Sequence, residues 1–214
     1  MKKINIILIS SIILVILSLG IVLIIRKMNI KQKLVSTAKA ELKKWKGIKE
    51  TSINASPMLL EYWKSVGRNF TASQMQSASF QSGWPWSSAF ISWLFYKSGA
   101  GDKFPYSAAH STYFQSAKKG RDYQSAPLRG FRITEYAPKV GDLVVYTRKH
   151  GKGYDSNGHF PSHGELVIEV GNGYIKTVGG NVSNSVTLST FKINELGFLS
   201  GNRKSFFMVI QNNI

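Results

Sequence analysis

The chain has 214 residues, 43% of them hydrophobic and 12% aromatic, which is enough for one globular domain with a sizeable core. It has no cysteine, so disulfides, thiolate catalysis and cysteine-ligated zinc are excluded. The formal net charge is +17, and residues 1–50 alone carry 11 Lys or Arg against 2 Glu. Since this excess is densest beside an apolar segment, it favours anionic lipid or an anionic cell-wall polymer, and no motif predicts specific nucleic-acid binding.

Residues 4–25 form a stretch of 22 residues without a charged side chain. As a helix this stretch is long enough to span the bilayer core of about 30 Å, so it predicts contact with membrane lipid. The alternative is a cleaved signal peptide, for which Ser18-Leu-Gly20 is the only small-x-small site. We therefore expect a single-pass anchor in residues 1–29, followed by one domain in residues 30–214.

Two arguments predict opposite orientations of this anchor in the membrane. The basic residues after it, such as Arg26 and Lys27, would hold the domain in the cytoplasm by the positive-inside rule. The function considered below instead places the domain on the cell-wall side.

The elements after the anchor begin with a basic amphipathic helix over residues 30–49. Its apolar stripe predicts packing on the domain, with contact to a membrane surface as the alternative. The stripe consists of Leu34, Val35, Ala38, Leu42 and Trp45. A second helix is expected over residues 57–66, and a polar run leads from there to Trp84.

The stretch 84–101 reads as a loop that turns into a buried helix. Pro85 is tolerated near a helix start, Ser87 or Ser88 can cap the first turn, and Gly99 and Gly101 end the run. A serine thus stands at a helix N-terminus, where the helix dipole and unpaired N–H groups favour negative charge.

The remainder of the chain is expected to contain one short helix and then strands. Residues 104–114 read as a turn and a helix, and residues 118–138 as a loop. Tight glycine and asparagine turns separate apolar runs over residues 143–147, 163–170, 174–178, 185–190 and 206–211. Helices followed by an antiparallel meander predict the α+β class.

Two polar residues stand at ends of these strands. His163 begins its strand and is well placed to face a cleft, although a surface-loop histidine is the plainer interpretation. Asn181 follows Gly179-Gly180 and is able to orient the imidazole, with a simple turn residue as the alternative.

Two stretches carry a family resemblance: Trp86-Ser-Ser-Ala-Phe-Ile-Ser-Trp93 and Ser162-His-Gly-Glu-Leu-Val-Ile-Glu-Val-Gly-Asn-Gly173. Together they resemble the cell-wall amidohydrolases of papain-like fold, the NlpC-type and CHAP domains. A closer resemblance is to domain-of-unknown-function family 2272, through Phe-Pro-Tyr-Ser-Ala-Ala-His, Pro-x-x-Gly-Asp-Leu-Val and Gly-Gly-Asn-Val as well. It extends from about Val35 to the C-terminus.

The resemblance implies a papain-like (NlpC/CHAP-type) fold that acts on peptidoglycan or its stem peptides. It places the nucleophile on Ser87, the general base on His163 and the orienting residue on Asn181. We assign Trp84, Trp86 and His110 to substrate binding, without a defined chemical role for His110.

Serine stands where that superfamily has its cysteine. A serine hydroxyl loses its proton only during attack, so it needs a well-placed base and an oxyanion hole. One hypothesis is therefore a membrane-anchored hydrolase, of the kind found in lysins, that cleaves an amide bond with a Ser–His pair. The other is a catalytically inactive module that binds peptidoglycan or a protein partner.

A third interpretation is a zinc site made by His150, His159 and His163 with Asp155, since catalytic zinc uses three protein ligands. Glycine and proline around these residues prevent a helix from aligning them. We therefore expect neither a metal nor another cofactor.

Overall fold

The computed structural model describes residues 28–214. The helices are α1 (Ile30–Lys44), α2 (Ser56–Lys64), α3 (Ala72–Gln76), α4 (Ala78–Gly83), α5 (Ser87–Ser98) and α6 (His110–Gly120), with a 3₁₀ turn at Gly101–Lys103. The strands are β1 (Leu128–Phe131), β2 (Leu143–Thr147), β3 (Ser162–Gly171), β4 (Tyr174–Val182), β5 (Ser185–Lys192) and β6 (Phe206–Asn212). The helices precede an antiparallel sheet, which confirms the α+β class.

The six strands form one antiparallel sheet in the order β1-β6-β2-β3-β4-β5. Strands β2 to β5 follow one another as the predicted meander, while β6 returns to lie between β1 and β2. Strand β1 lies inside residues 118–138, which the sequence analysis takes as a loop. That assignment is corrected here, because four residues are too few for a clear alternation and the partner strand β6 is distant in sequence.

Both faces of the sheet are buried. On β2, Leu143 and Val145 belong to the core on the helix side, whereas Val144 and Tyr146 belong to a smaller cluster on the other side. Successive side chains of a strand point to opposite faces, so this alternation follows from the strand itself. On β3, Gly164 and Leu166 lie opposite Val145 and Leu143, so these two positions are on the helix side.

Helix α5 lies at the centre of the helical layer. Every residue from Ser87 to Phe95 is buried. Gly99 ends the helix in the left-handed conformation with φ 85°, as its position in the sequence predicts. The backbone of Gly180 in β4 touches Phe90 so closely that a Cβ at position 180 would overlap the ring. The helix therefore sits directly on the sheet.

Helix α1 packs on the domain through its apolar stripe. Leu34, Ala38 and Trp45 are buried in the core, and Val35 and Leu42 pack against it. Within residues 28–214 no helix is both long and apolar enough to cross a membrane. The predicted anchor in residues 4–25 lies outside the described residues.

Candidate active site

A cleft of about 370 Å³ opens where the N-termini of α5 and α6 meet the chain that enters β3. It is lined by Pro85, Ser87, Ala108, Ala109, His110, Ser111, Arg148, His159, Phe160, Pro161 and Ser162. The lining combines a small apolar surface with a few convergent polar groups, which is the usual composition of a ligand site.

Ser87 and His110 form a hydrogen-bonded pair in this cleft. Their side chains are joined by Ser87 Oγ and His110 Nε2 at 2.7 Å. Ser87 is the first residue of α5 and His110 the first residue of α6, so each is held by the start of a helix. A nucleophile and base at this distance match the geometry required for nucleophilic catalysis.

The other nitrogen of the imidazole is also engaged. His110 Nδ1 is hydrogen-bonded to the hydroxyl of Tyr113, one turn further along α6. The tautomer that has Nδ1–H donating to Tyr113 leaves Nε2 to accept from Ser87 Oγ–H, as a base must. The result is a hydrogen-bonded chain from serine through histidine to tyrosine.

The loop that carries His110 is fastened to α5 by serines. Ser88 and Ser92 of α5 both donate to the carbonyl oxygen of Ser107, at 2.8 and 3.1 Å. The Ser107 hydroxyl accepts from the backbone N–H of Ala109. These bonds position His110 relative to Ser87, so Ser88 has a structural part next to the site.

Burial keeps the histidine neutral. Desolvation, and next the charge of Arg148, lower the pKa of His110 to about 3. Burial, and next the Glu165 carboxylate, raise the pKa of Tyr113 well above its ordinary value. At neutral pH the site therefore holds a neutral imidazole with an accepting nitrogen beside Ser87, and a neutral phenol that orients it.

His163 does not contact Ser87. Its ring is fully buried beside His110, with ring centroids 5.3 Å apart, and its Nδ1 accepts from Arg148 at 2.9 Å. An arginine side chain only donates, so the proton of His163 resides on Nε2. In the part of the chain that the structure describes, Nε2 has no hydrogen-bond partner, and it lies 3.8 Å from Glu165. Neither nitrogen is available to take a proton from Ser87, and the hydrogen bond predicted for His163 is made by His110.

Among the described residues Asn181 makes no hydrogen bond to either histidine. Its amide sits between Glu50 and the backbone N–H of Trp86; with the nitrogen facing the carboxylate, it donates to Glu50 Oε2 at 3.1 Å and accepts from Trp86 at 3.2 Å. Trp86 immediately precedes α5, and its indole also donates to Glu50 Oε2 at 2.8 Å. Asn181 therefore orients the start of the helix that carries Ser87, and does not orient the imidazole.

The two tryptophans assigned to substrate binding have different environments. Trp86 is fully buried and stacks on Trp45 at 5.0 Å, which corrects its assignment as a contact for substrate. Trp84 is 37% exposed and stacks on Phe80 at the surface. It precedes Pro85 at the cleft but does not line it.

The zinc interpretation finds no support in the part of the chain that the structure describes, because no group of three or more His, Asp or Glu there is placed to hold a metal ion. His163 is buried beside His110, His159 Nδ1 is hydrogen-bonded to Ser111 at 2.6 Å, and Asp155 pairs with Arg132. The predicted ligands thus have separate partners.

Sequence reasoning missed Tyr113 and Arg148, and gave His110 no chemical role. One signal was available: His110 and Tyr113 are three residues apart, a spacing that puts two side chains on the same face of a helix. Arg148 gave no comparable signal, since an arginine in a basic chain is unremarkable.

Comparison with known protein families shows which family the chain belongs to. The family described as "Uncharacterized protein conserved in bacteria (DUF2272)" matches residues 45–208, which is most of the chain and includes Ser87, His110 and Tyr113. The protein is therefore a member of DUF2272. Comparisons with curated proteins and with solved structures gave no match.

Proposed function

We propose that the protein is a serine-dependent hydrolase of amide bonds, with Ser87 as the nucleophile and His110 as the general base. The observation that carries the proposal is the 2.7 Å hydrogen bond between Ser87 Oγ and His110 Nε2 at the wall of the cleft. A serine hydroxyl needs such a base because it is not ionised in advance.

In this mechanism Ser87 Oγ attacks the carbonyl carbon while its proton passes to His110 Nε2. Tyr113 accepts from His110 Nδ1–H and so stabilises the imidazolium that forms. His110 then gives its proton to the departing amine, leaving an acyl group on Ser87. Water repeats the sequence in the second half-reaction and releases a carboxylic acid.

The start of α5 supports the negative charge of the tetrahedral intermediate. No side chain of the described residues 28–214 caps this helix, and the first N–H groups of a helix lack partners within it. Asn181 takes the N–H of Trp86, so the N–H groups that follow remain to serve as donors for an oxyanion next to Ser87.

The substrate class follows from charge and resemblance. The net charge of +17 favours an anionic polymer, and the likeness to NlpC-type and CHAP domains points to amide bonds of peptidoglycan or its stem peptides. A buried helix that carries its nucleophile at the N-terminus and lies on an antiparallel sheet is compatible with a papain-like fold. With residues 4–25 as an anchor, the domain would act on cell wall close to the membrane.

Two measurements on the full-length protein in a neutral detergent test this function. Incubation with purified peptidoglycan is expected to release new amino groups, and a fluorophosphonate probe is expected to label Ser87, as located by mass spectrometry. Ser87→Ala should abolish both signals.

Ser98→Ala is the matched control. Ser98 is buried in the same helix but donates only to the Leu94 carbonyl oxygen, so its loss should leave activity and labelling in place. A folded wild-type protein that neither reacts with the probe at Ser87 nor releases amino groups would contradict hydrolysis. Retention on peptidoglycan under those conditions would instead identify a binding module.

A further inference from the structure

Within the described residues, the lining of the cleft contains no acidic side chain. Its ionisable residues are His110, Arg148 and His159, and the buried carboxylate of Glu165 does not line it. The N-termini of α5 and α6 also meet here, and each carries partial positive charge. A ligand for this cleft therefore meets a positive electrostatic environment.

The guanidinium of Arg148 has more hydrogen-bond donors than its contact with His163 uses. Arg148 is exposed, it follows β2 directly, and one of its nitrogens donates to His163 Nδ1. Within residues 28–214 it forms no salt bridge with a carboxylate. A guanidinium has five N–H donors in a planar fork that suits a carboxylate, so the remaining donors at the cleft can bind one.

Ser162 provides a second, independent observation. It is 8% exposed and lines the cleft, and its buried hydroxyl has no hydrogen-bond partner among residues 28–214. A buried hydroxyl without a partner is unfavourable, which indicates a group that a ligand would satisfy. Ser162 pairs with Thr147 across the sheet, and the Arg148 backbone N–H donates to the Pro161 carbonyl oxygen, so Arg148 and Ser162 are neighbours.

We propose that the cleft binds substrates carrying a carboxylate group next to the amide bond that is cleaved, with Arg148 and Ser162 as the residues that hold this carboxylate. The position of the carboxylate beside the scissile bond rests on the proposed function. The binding of the carboxylate itself rests on Arg148, Ser162 and the lack of acidic residues in the lining.

Such a substrate would also strengthen the base. After burial, the charge of Arg148 is the cause that lowers the pKa of His110. A carboxylate paired with Arg148 offsets that charge, so His110 accepts a proton more readily when the substrate is bound than when the cleft is empty. A substrate without the carboxylate would lack this effect.

The test compares the binding of two probes that differ only in this group, N-acetylglycylglycine and its carboxamide, to the full-length Ser87→Ala protein. Affinities are measured by NMR titration at pH 7. The carboxylate probe is expected to bind about tenfold or more tightly than the carboxamide. The reason is that a hydrogen bond to a charged group contributes enough binding free energy for a difference in affinity of this size. Arg148→Gln should remove the preference, and Ser162→Ala should reduce it several-fold.

Lys149→Gln is the matched control, since it removes one positive charge at the next residue, outside the cleft lining; it should retain the preference. Equal affinities for the two probes, no binding of either, or an unchanged preference in Arg148→Gln would overturn the proposal. Because the Ser87→Ala protein cannot perform the proposed reaction, this result is independent of catalysis. A carboxylate preference in a protein that hydrolyses nothing would refute the proposed function alone.

Discussion

Gly164 in β3 and Tyr113 in α6 are in direct contact, and the tyrosine hydroxyl occupies the space that a side chain at position 164 would fill. The same hypothetical Cβ would lie 3.3 Å from Nδ1 of His110. The absence of a side chain at Gly164 is thus what lets Tyr113 reach the imidazole.

The first prediction is that Gly164→Ala displaces Tyr113 from His110. We expect the free energy of unfolding to fall by about 1–3 kcal/mol through overpacking, and kcat to fall at least tenfold, by about 1.4 kcal/mol in the barrier. Urea unfolding and the rate of amine release measure the two effects. Gly153→Ala is the control, because its Cβ would meet only Phe207 at 3.7 Å.

The double variant Gly164→Ala/Tyr113→Phe separates packing from chemistry. Without the hydroxyl, the nearest atom to the new methyl group is the Tyr113 ring carbon at 3.2 Å, which a small shift relieves. Stability should then recover while activity stays low, because the acceptor for Nδ1–H is gone. Recovery of full activity in the double variant would show that Tyr113 has no part in orienting His110.

A second prediction concerns the Ser87–His110 pair. Replacement of either residue by alanine should lower the rate at least about a hundredfold, as loss of a general base or nucleophile does, while the fold remains. Residues that act as a unit are non-additive, so the double variant should be hardly slower than either single one. His163→Gln should lower the rate less than His110→Gln; the reverse order would restore His163 as the base.

Ser87→Cys gives a third prediction that needs no substrate. If the helix N-terminus and His110 act on position 87 as they would on a superfamily cysteine, the new thiol should react with iodoacetamide below the pH of about 8.5 where a free cysteine ionises. The pH dependence of alkylation, followed by mass spectrometry, measures this. Ser82→Cys, at an exposed serine of α4, serves for comparison, and identical profiles for the two thiols would count against an activated site.

The fourth prediction is that Asn181 supports the start of α5 from a distance. Asn181→Ala removes its bonds to Glu50 and Trp86 and should cost about 1–3 kcal/mol beyond any backbone effect. Asn184→Ala is a matched control, since Asn184 has φ 60° against 56° for Asn181 and is exposed. The difference between the two variants in urea unfolding isolates the side-chain bonds, and equal losses would leave only backbone strain as the explanation.

A fifth prediction follows from the lowered pKa of His110, which burial and then Arg148 bring to about 3. Below the ordinary value of about 6.5 the unfolded chain binds a proton that the folded chain excludes, so this residue makes stability fall as the pH falls from about 6.5 towards 3. His110→Gln removes the titration. The wild-type protein should therefore lose up to about 1.4 kcal/mol per pH unit relative to the variant.

Urea unfolding between pH 4 and pH 7 checks this dependence. The comparison with the variant matters because Glu165, whose pKa burial raises, acts with the opposite sign. His150→Gln, at an exposed loop histidine, controls for the substitution itself. A stability difference between wild type and His110→Gln that does not vary with pH would contradict the neutral, buried state of His110.

Local patterns in the sequence were sufficient for most of the fold. The run from Ser87 to Gly99 identifies α5 because its apolar spacing and terminating glycine lie within one helix, whereas the predicted serine cap is wrong: Trp86 precedes the helix and its side chain makes no capping hydrogen bond. Strand β2 was predicted with the bounds that the structure has, Leu143–Thr147. By contrast, β1 and the short helices α3 and α4 were missed, because four to six residues carry little periodicity and their stability comes from tertiary packing.

The candidate site was harder to predict than the fold. The sequence identified Ser87, yet the choice between His110 and His163 depends on how α6 packs against β3. Both histidines are buried and their rings are neighbours. What distinguishes them is that Arg148 occupies Nδ1 of His163. No local pattern encodes a contact between an arginine after one strand and a histidine at the start of the next.

The two halves of the cleft come from separate parts of the chain. Ser87 and His110 begin helices, whereas Arg148, His159, Phe160 and Pro161 belong to the connection between β2 and β3. Surface connections accept insertions and replacements far more readily than packed helices do. Selectivity can therefore diverge among homologues through this one connection while the proposed nucleophile stays fixed, and grafting alternative 148–161 segments offers a route to redirected substrate choice.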